Sequence, residues 1–62
     1  MIEVGGTYDT VVNGHAQKWT VTAIEPDTRS HHKRVIINVE EEGKEPWVQA
    51  MLLTNMSRRV KG

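Results

Sequence analysis

The stretch Lys33–Trp47, which reads KRVIINVEEEGKEPW, decides the fold that we expect for this chain. Val35, Ile37 and Val39 occupy alternate positions, so their side chains should share one face of a strand. Asn38 should point away from that face, because a buried amide needs hydrogen-bond partners at both of its ends. A glycine and a proline then interrupt the pattern and allow the chain to turn back.

Upstream of this strand, the sequence predicts a β-hairpin. Residues 7–12 are rich in β-branched side chains, which pack well on a pleated surface. Asn13-Gly14 follows, and both of these residue types tolerate the positive φ angles of a two-residue hairpin turn. A return strand is therefore expected over residues 17–25.

The return strand should carry an apolar face formed by Trp19, Val21 and Ala23. Ile24 breaks this alternation, which predicts a β-bulge or a strand end near Ala23. Trp19, on the apolar face of a strand, is expected to belong to the core.

The next segments are predicted to be a loop and another hairpin. Residues 25–32 are polar and contain a proline, which is typical of an exposed loop. Gly43-Lys44 should form a tight turn, after which residues 45–50 return beside the preceding strand. Pro46 has no N–H to donate, so it favours an edge strand or the start of a strand.

The C-terminal segment allows two interpretations. A helix beginning near Pro46 would explain the helical spacing of Trp47, Ala50, Met51 and Thr54. The preferred alternative is a short strand through residue 50, a 3₁₀ turn over residues 51–55 and a last strand over residues 57–61. This alternative gives Val60 a place in the sheet.

Length and composition limit the classes of protein to consider. The 62 residues suffice for one domain, 1–62, with a small core. The chain has eight Lys/Arg, eight Asp/Glu and no cysteine, which excludes disulfides, thiolate chemistry and a strong overall electrostatic field. No stretch resembles a signal peptide or a membrane span, so the expected location is cytoplasmic, without membrane contact.

Five short strands in so few residues cannot bury a flat sheet, and a strongly bent, closed barrel removes most exposed edges. The motifs Val4–Tyr8, Trp19–Ile24 and Val35–Val39, followed by Gly43, Trp47, Leu52-Leu53 and Arg59-Val60, resemble the small SH3-like barrels encoded by phages and prophages. This resemblance implies an all-β, five-stranded SH3-like barrel with a 3₁₀ turn before the last strand. Barrels of this kind serve as nucleic-acid-binding modules, as peptide binders and as inhibitors of host enzymes, so the resemblance implies one of these functions.

Neither a metal site nor a catalytic site is predicted. His31 and His32 are adjacent, so on an extended segment their side chains point to opposite sides, and His15 lies in another loop. The chain lacks nucleophile-elbow, Walker and dinucleotide glycine patterns. We therefore expect no metal, no cofactor and no enzymatic activity.

The charges are segmented along the chain. Residues 1–27 hold one basic and four acidic groups, net −3, and residues 28–39 hold three basic groups, net +3. Residues 40–46 return to net −3, and residues 47–62 reach net +3. If the basic segments were adjacent, they would form a phosphate-binding patch of Arg29, Lys33, Arg34, Arg58, Arg59 and Lys61.

Trp47 is the strongest candidate for a contact with a protein partner. It follows Pro46 and a turn, so it should be partly exposed beside apolar neighbours, as interface hot spots are; alternatively, it caps the barrel end. Glu40 and Glu42 share a face of a strand and form either an acidic contact patch or a solvated strand end. The expected partner-binding residues are Trp47, Arg34, Arg58, Arg59, Glu40 and Glu42.

The leading functional hypothesis is a non-enzymatic accessory protein of a phage or another mobile element. It would bind a protein partner and modulate it, in the simplest case by inhibiting a host system. The alternative is a nucleic-acid-binding barrel that contacts the phosphate backbone. A third hypothesis, an active site shared between subunits, would require a homo-oligomer such as a homodimer.

Overall fold

The computed structural model describes residues 2–29 and 31–60 and shows one antiparallel sheet with one short helix. The strands are β1 (Thr7–Val12), β2 (His15–Pro26), β3 (Lys33–Glu41) and β4 (Trp47–Leu52), and the helix α1 spans Leu53–Arg59. The strand order is β1-β2-β3-β4, so each strand pairs with its neighbours in sequence. Such a meander needs only short connections, which here range from two residues between β1 and β2 to six between β2 and β3.

The structure confirms the first hairpin that the sequence predicts. Asn13 and Gly14 have φ angles of 51° and 80°, as a two-residue turn of this kind requires. The register of β2 on β3 shifts between Val21 and Ala23, which confirms the bulge expected from the broken alternation. Because β2 continues beyond this bulge to Pro26, the irregularity bends the strand without ending it.

The core lies on one face of the sheet, which we call the inner face. Trp19, Val21, Val35, Ile37 and Val39 are buried there, as the alternation predicts, and each is at most 2 % exposed. The opposite, outer face carries the residues that alternate with these. Asn38 of β3 lies on that face and is half-buried. The sheet is therefore two-sided, with one face in the core.

The expectation of a closed five-stranded barrel is wrong. The structure has four strands in an open sheet, and neither the 3₁₀ turn over residues 51–55 nor the last strand over residues 57–61 forms among the described residues. The alternative helix from Pro46 is also wrong, because residues 47–52 form β4. Leu53, Met56 and Val60 have helical spacing and place one face of α1 on the inner face of the sheet.

Two contacts fix the C-terminal end of α1. The Val60 N–H donates to the Met56 carbonyl at 3.0 Å, and the Thr10 hydroxyl donates to the Arg59 carbonyl at 3.2 Å. The second bond ties the helix to β1, across the sheet from β4, so α1 lies over the inner face and closes the core. Among residues 2–29 and 31–60, no helix has the length and apolar character needed to cross a membrane.

Candidate functional site: a groove beside Trp47

A groove of about 640 Å³ lies where α1 leaves part of the inner face uncovered. Its floor and walls come from β1, β2 and β4, and its rim comes from the helix. We call it the Trp47 groove; its lining residues are Val12, Gln17, Trp19, Trp47, Gln49, Met51, Asn55, Arg58 and Arg59. Two indole rings, three amide side chains and two guanidinium groups thus meet in one concave surface.

Trp47 forms the β4 wall of this groove. It lies opposite Val39 in the register, so its ring belongs to the inner face and is half-buried against the core. The indole N–H donates to the Gln49 side-chain oxygen at 3.3 Å, which orients the ring along the strand. The prediction that Trp47 is partly exposed is confirmed.

A chain of hydrogen bonds supports the opposite side of the groove. The buried Trp19 indole N–H donates to the Gln17 side-chain oxygen at 2.9 Å. The Gln17 amide then donates to the Glu41 carboxylate at 2.7 Å, and the Lys44 ammonium lies 3.0 Å from the same carboxylate. Gln17 thereby satisfies the polar atom of a core tryptophan and holds the carboxylate in place.

This arrangement changes the protonation of Glu41. The hydrogen bond from Gln17 and then the contact with Lys44 hold the pKa of the Glu41 carboxyl below its ordinary value. The Glu41 side chain is only 6 % exposed, whereas that of Lys44 is 61 % exposed. The carboxylate is therefore charged at neutral pH, and its charge is directed at these two partners.

We expect the network to add a pH-dependent contribution to stability. Because the folded-state pKa of Glu41 is depressed, this contribution is fully present above the unfolded value of about 4.3 and is lost as pH falls through the folded value. Urea midpoints at neutral and acidic pH should therefore differ more for the wild type than for Glu41→Gln. An equal acid-induced loss in both proteins would contradict the assignment.

Arg58 and Arg59 reach the groove from the last turn of α1. Cationic side chains are favourable there because the C-terminal end of a helix carries a partial negative charge. They are the only charged residues that line the Trp47 groove among the described residues, and no carboxylate does. The groove therefore has a cationic rim over a partly apolar floor.

The structure unites only some of the residues predicted to bind a partner. Trp47, Arg58 and Arg59 converge in the groove, although they come from separate elements. Arg34 and Glu40 lie on the outer face, where Arg34 is opposite Glu25 and Glu40 is opposite Lys18. Glu42 is exposed in the connection between β3 and β4.

The residues predicted for nucleic-acid binding fall into separate groups. Lys33 and Arg34 begin β3, and the preceding loop places the Arg29 N–H 3.1 Å from the Asp27 carboxylate. The Arg59 carbonyl instead accepts the Thr10 hydroxyl. Thr10 lies opposite Gln17, and Gln17 lies opposite Glu41, which is at the other end of β3. From Arg34 to Glu41 the strand rises about 23 Å. Lys61 lies outside the described residues.

Two amide side chains of the site, those of Gln17 and Gln49, carry no predicted role. Each accepts an indole N–H from the tryptophan two positions away. The signal was available, because residues i and i+2 share one face of a strand. A glutamine two positions from a tryptophan in a strand therefore deserved the same weight as the arginines.

Comparisons of the chain with protein-family models, with curated proteins and with solved structures found no match.

Proposed function

We propose that this chain is a non-enzymatic binding module that recognises a protein partner through the Trp47 groove. The observation that carries the proposal is the convergence of Trp47, Arg58 and Arg59 around one concave surface. Tryptophan and arginine dominate the binding energy of protein interfaces, because both combine a large contact area with directional polar groups. The supporting polar network holds the floor of the groove in a defined geometry.

The charges of the groove indicate the kind of contact. Arg58 and Arg59 are exposed and have no carboxylate beside them in the lining, so their charge is directed outwards. A partner with acidic side chains would complement this rim and would be oriented during encounter. We therefore assign Trp47 as the apolar anchor and the two arginines as charged contacts.

The cellular role is proposed on the resemblance noted in the sequence. In that role the chain is an accessory protein of a phage or another mobile element, acts in the cytoplasm and modulates a host system by occupying a surface of one of its proteins. Three other residues of this chain, Arg34, Glu40 and Glu42, lie away from the groove. They would contribute to the contact only if the partner also reached the outer face or the β3–β4 connection.

Affinity capture from the native host tests this proposal. We expect Trp47→Ala to weaken retention of the partner by about 30-fold or more, which corresponds to a hot-spot loss of about 2 kcal/mol. Arg58→Gln should weaken it less, with a smaller dependence on salt. The readout is the amount of each captured protein, measured by quantitative mass spectrometry.

Val11→Ala is the matched control, because Val11 is 66 % exposed and does not line the groove. It should retain the partner as the wild type does. The proposal fails if every captured protein is retained equally by Trp47→Ala and by Val11→Ala.

Nucleic-acid binding is the second candidate, favoured by one observation. A half-buried indole next to two guanidinium groups can also stack on a base while the arginines contact phosphates. Fluorescence anisotropy with labelled oligothymidine and with duplex DNA at low salt separates the two functions. Binding that falls steeply with added salt would favour this candidate, and the absence of binding would dismiss it.

A further inference from the structure

The strand β4 is an edge of the sheet that lacks the usual protection. It ends the order β1-β2-β3-β4, so no other described strand pairs with its far side. Its sequence, WVQAML, contains no charged residue, and its pairing with β3 shows no bulge. Soluble proteins normally protect such edges with charges, prolines or bulges, because free peptide groups attract another strand.

The register shows which peptide groups are free along this edge. The Val21 N–H donates to the Gly6 carbonyl at 2.9 Å, and the Val21 carbonyl accepts the Gly5 N–H at 2.9 Å, so Val21 faces β1. In antiparallel sheets, successive residues bond alternately to the two neighbouring strands. Ile37, the partner of Val21 on β3, must therefore face β4 and bond to Gln49.

The same alternation makes the N–H and carbonyl groups of Val48 and Ala50 face away from β3. An independent contact agrees with this assignment, because the Ile36 carbonyl accepts the Thr22 hydroxyl at 3.1 Å on the β2 side. Val48 and Ala50 are exposed, and Val48 is 72 % exposed. The free edge thus offers peptide groups that no described strand pairs with, next to exposed apolar side chains.

The two faces of β4 determine the side chains that an added strand would need. On the inner face, Trp47, Gln49 and Met51 border the Trp47 groove, where the charged lining residues in the described part of the chain are arginines. On the outer face, Val48 and Ala50 offer apolar contacts. An added strand should therefore carry an acidic side chain on one face and β-branched apolar side chains on the other.

We propose that the β4 edge takes up an extended segment of the protein partner as a fifth strand, with an acidic side chain of that segment placed in the Trp47 groove near Arg58. This inference rests on the proposed function and specifies the partner as an acidic, alternating β-strand segment. A second copy of this chain suits the edge less well, because β4-to-β4 pairing would bring the arginine rims of two grooves together.

Selection from a displayed library of random linear peptides tests the proposal. Peptides enriched on the wild type should alternate Asp or Glu with Val, Ile or Thr. Ala50→Pro removes an N–H that faces the free edge, and edge strands tolerate proline there. It should weaken the enriched peptides by at least about tenfold, the loss expected from one hydrogen bond of about 1.4 kcal/mol. A synthetic chain with N-methylalanine at position 50 should show the same loss.

Val11→Pro is the matched control, because Val11 lies on the opposite free edge and, by the same alternation, its N–H also faces away from the sheet. It should bind the peptides as the wild type does, provided that circular dichroism shows all variants folded. Equal binding by the wild type and by both position-50 variants would overturn strand addition. The proposed function would still stand in that case if Trp47→Ala abolished binding.

Other outcomes are equally informative. Enrichment without acidic residues, together with unchanged binding by Arg58→Gln, would overturn the acidic contact. Concentration-dependent dimerisation that disappears in Ala50→Pro, seen by sedimentation, would assign the edge to a second copy of the chain and overturn the partner strand. No enrichment above an unrelated control protein would overturn the strand addition, whereas the proposed function fails only if the capture experiment with Trp47→Ala and Val11→Ala shows no difference.

Discussion

Met56→Ala should destabilise the protein by about 2–5 kcal/mol. Met56 is completely buried and anchors α1 to the inner face, so its truncation leaves a cavity between the helix and the sheet. A domain of 62 residues has a total stability of roughly 3–9 kcal/mol, so this loss would unfold a substantial fraction of the molecules. Urea unfolding followed by circular dichroism measures it.

The neighbouring Ser57→Ala provides the control. Ser57 is exposed, and its hydroxyl donates to the Thr54 carbonyl within the helix at 2.9 Å, so the change should stay within about 0.5 kcal/mol. Release of α1 should also open the Trp47 groove and increase acrylamide quenching of tryptophan fluorescence in Met56→Ala. Equal stability of the two variants would show that the helix does not close the core.

Gln49→Pro should unfold the protein far more readily than Ala50→Pro. The Gln49 N–H bonds to Ile37 in the register described above, and Ile37 is completely buried. Proline removes this donor and leaves a buried acceptor unpaired, which costs about 1–3 kcal/mol before any strain from the ring. The free energies of urea unfolding of the two variants give the difference.

Adjacent positions form a sharp test, because the two proline variants remove N–H groups that point in opposite directions. Gln49→Pro also removes the acceptor of the Trp47 indole N–H, so Gln49→Ala is measured beside it to separate the side-chain loss from the backbone loss. In Ala50→Pro the lost N–H faces the free edge, so only the constraint on φ remains. If Ala50→Pro were the less stable variant, the pattern of β4 would be shifted by one residue. The edge groups assigned to Val48 and Ala50 would then be wrong.

Local patterns in the sequence predicted the first three strands because each pattern has a local cause. Asn13-Gly14 adopts the positive φ angles of the turn, which both residue types tolerate at little cost. The broken alternation after Val21 becomes the bulge of β2, and the alternating apolar residues of β3 become the centre of the core. Turn chemistry and period-two burial act over a few residues and can be recognised in isolation.

The last segment could not be predicted in the same way. Its spacing fits a strand, a turn or a helix, and seven residues of helix are too few to be stable alone. Residues 53–59 form a helix because the open inner face offers apolar surface against which Leu53, Met56 and the following Val60 pack. That surface exists only after β1, β2, β3 and β4 have assembled, so tertiary packing selects the conformation.

The candidate site could likewise be predicted from the sequence only in part. The partial exposure of Trp47 could be predicted, because a proline and a turn precede it. Its meeting with Arg58 and Arg59 could not, because it depends on the helix crossing the sheet to Thr10. The opposite position of Arg34, on the outer face, likewise follows from the register of β3 with β2.

By itself, the sequence determined the first three strands, the first hairpin turn, the bulge and the alternating buried residues of β3, because these depend on side-chain alternation and on the φ angles that single residues allow. Only the tertiary structure decided that the chain ends its sheet at β4, that residues 53–59 coil into a helix, and that two arginines join a tryptophan in one groove. The physical reason is that burial of α1 is a long-range interaction. Its free energy comes from a surface that no local segment contains.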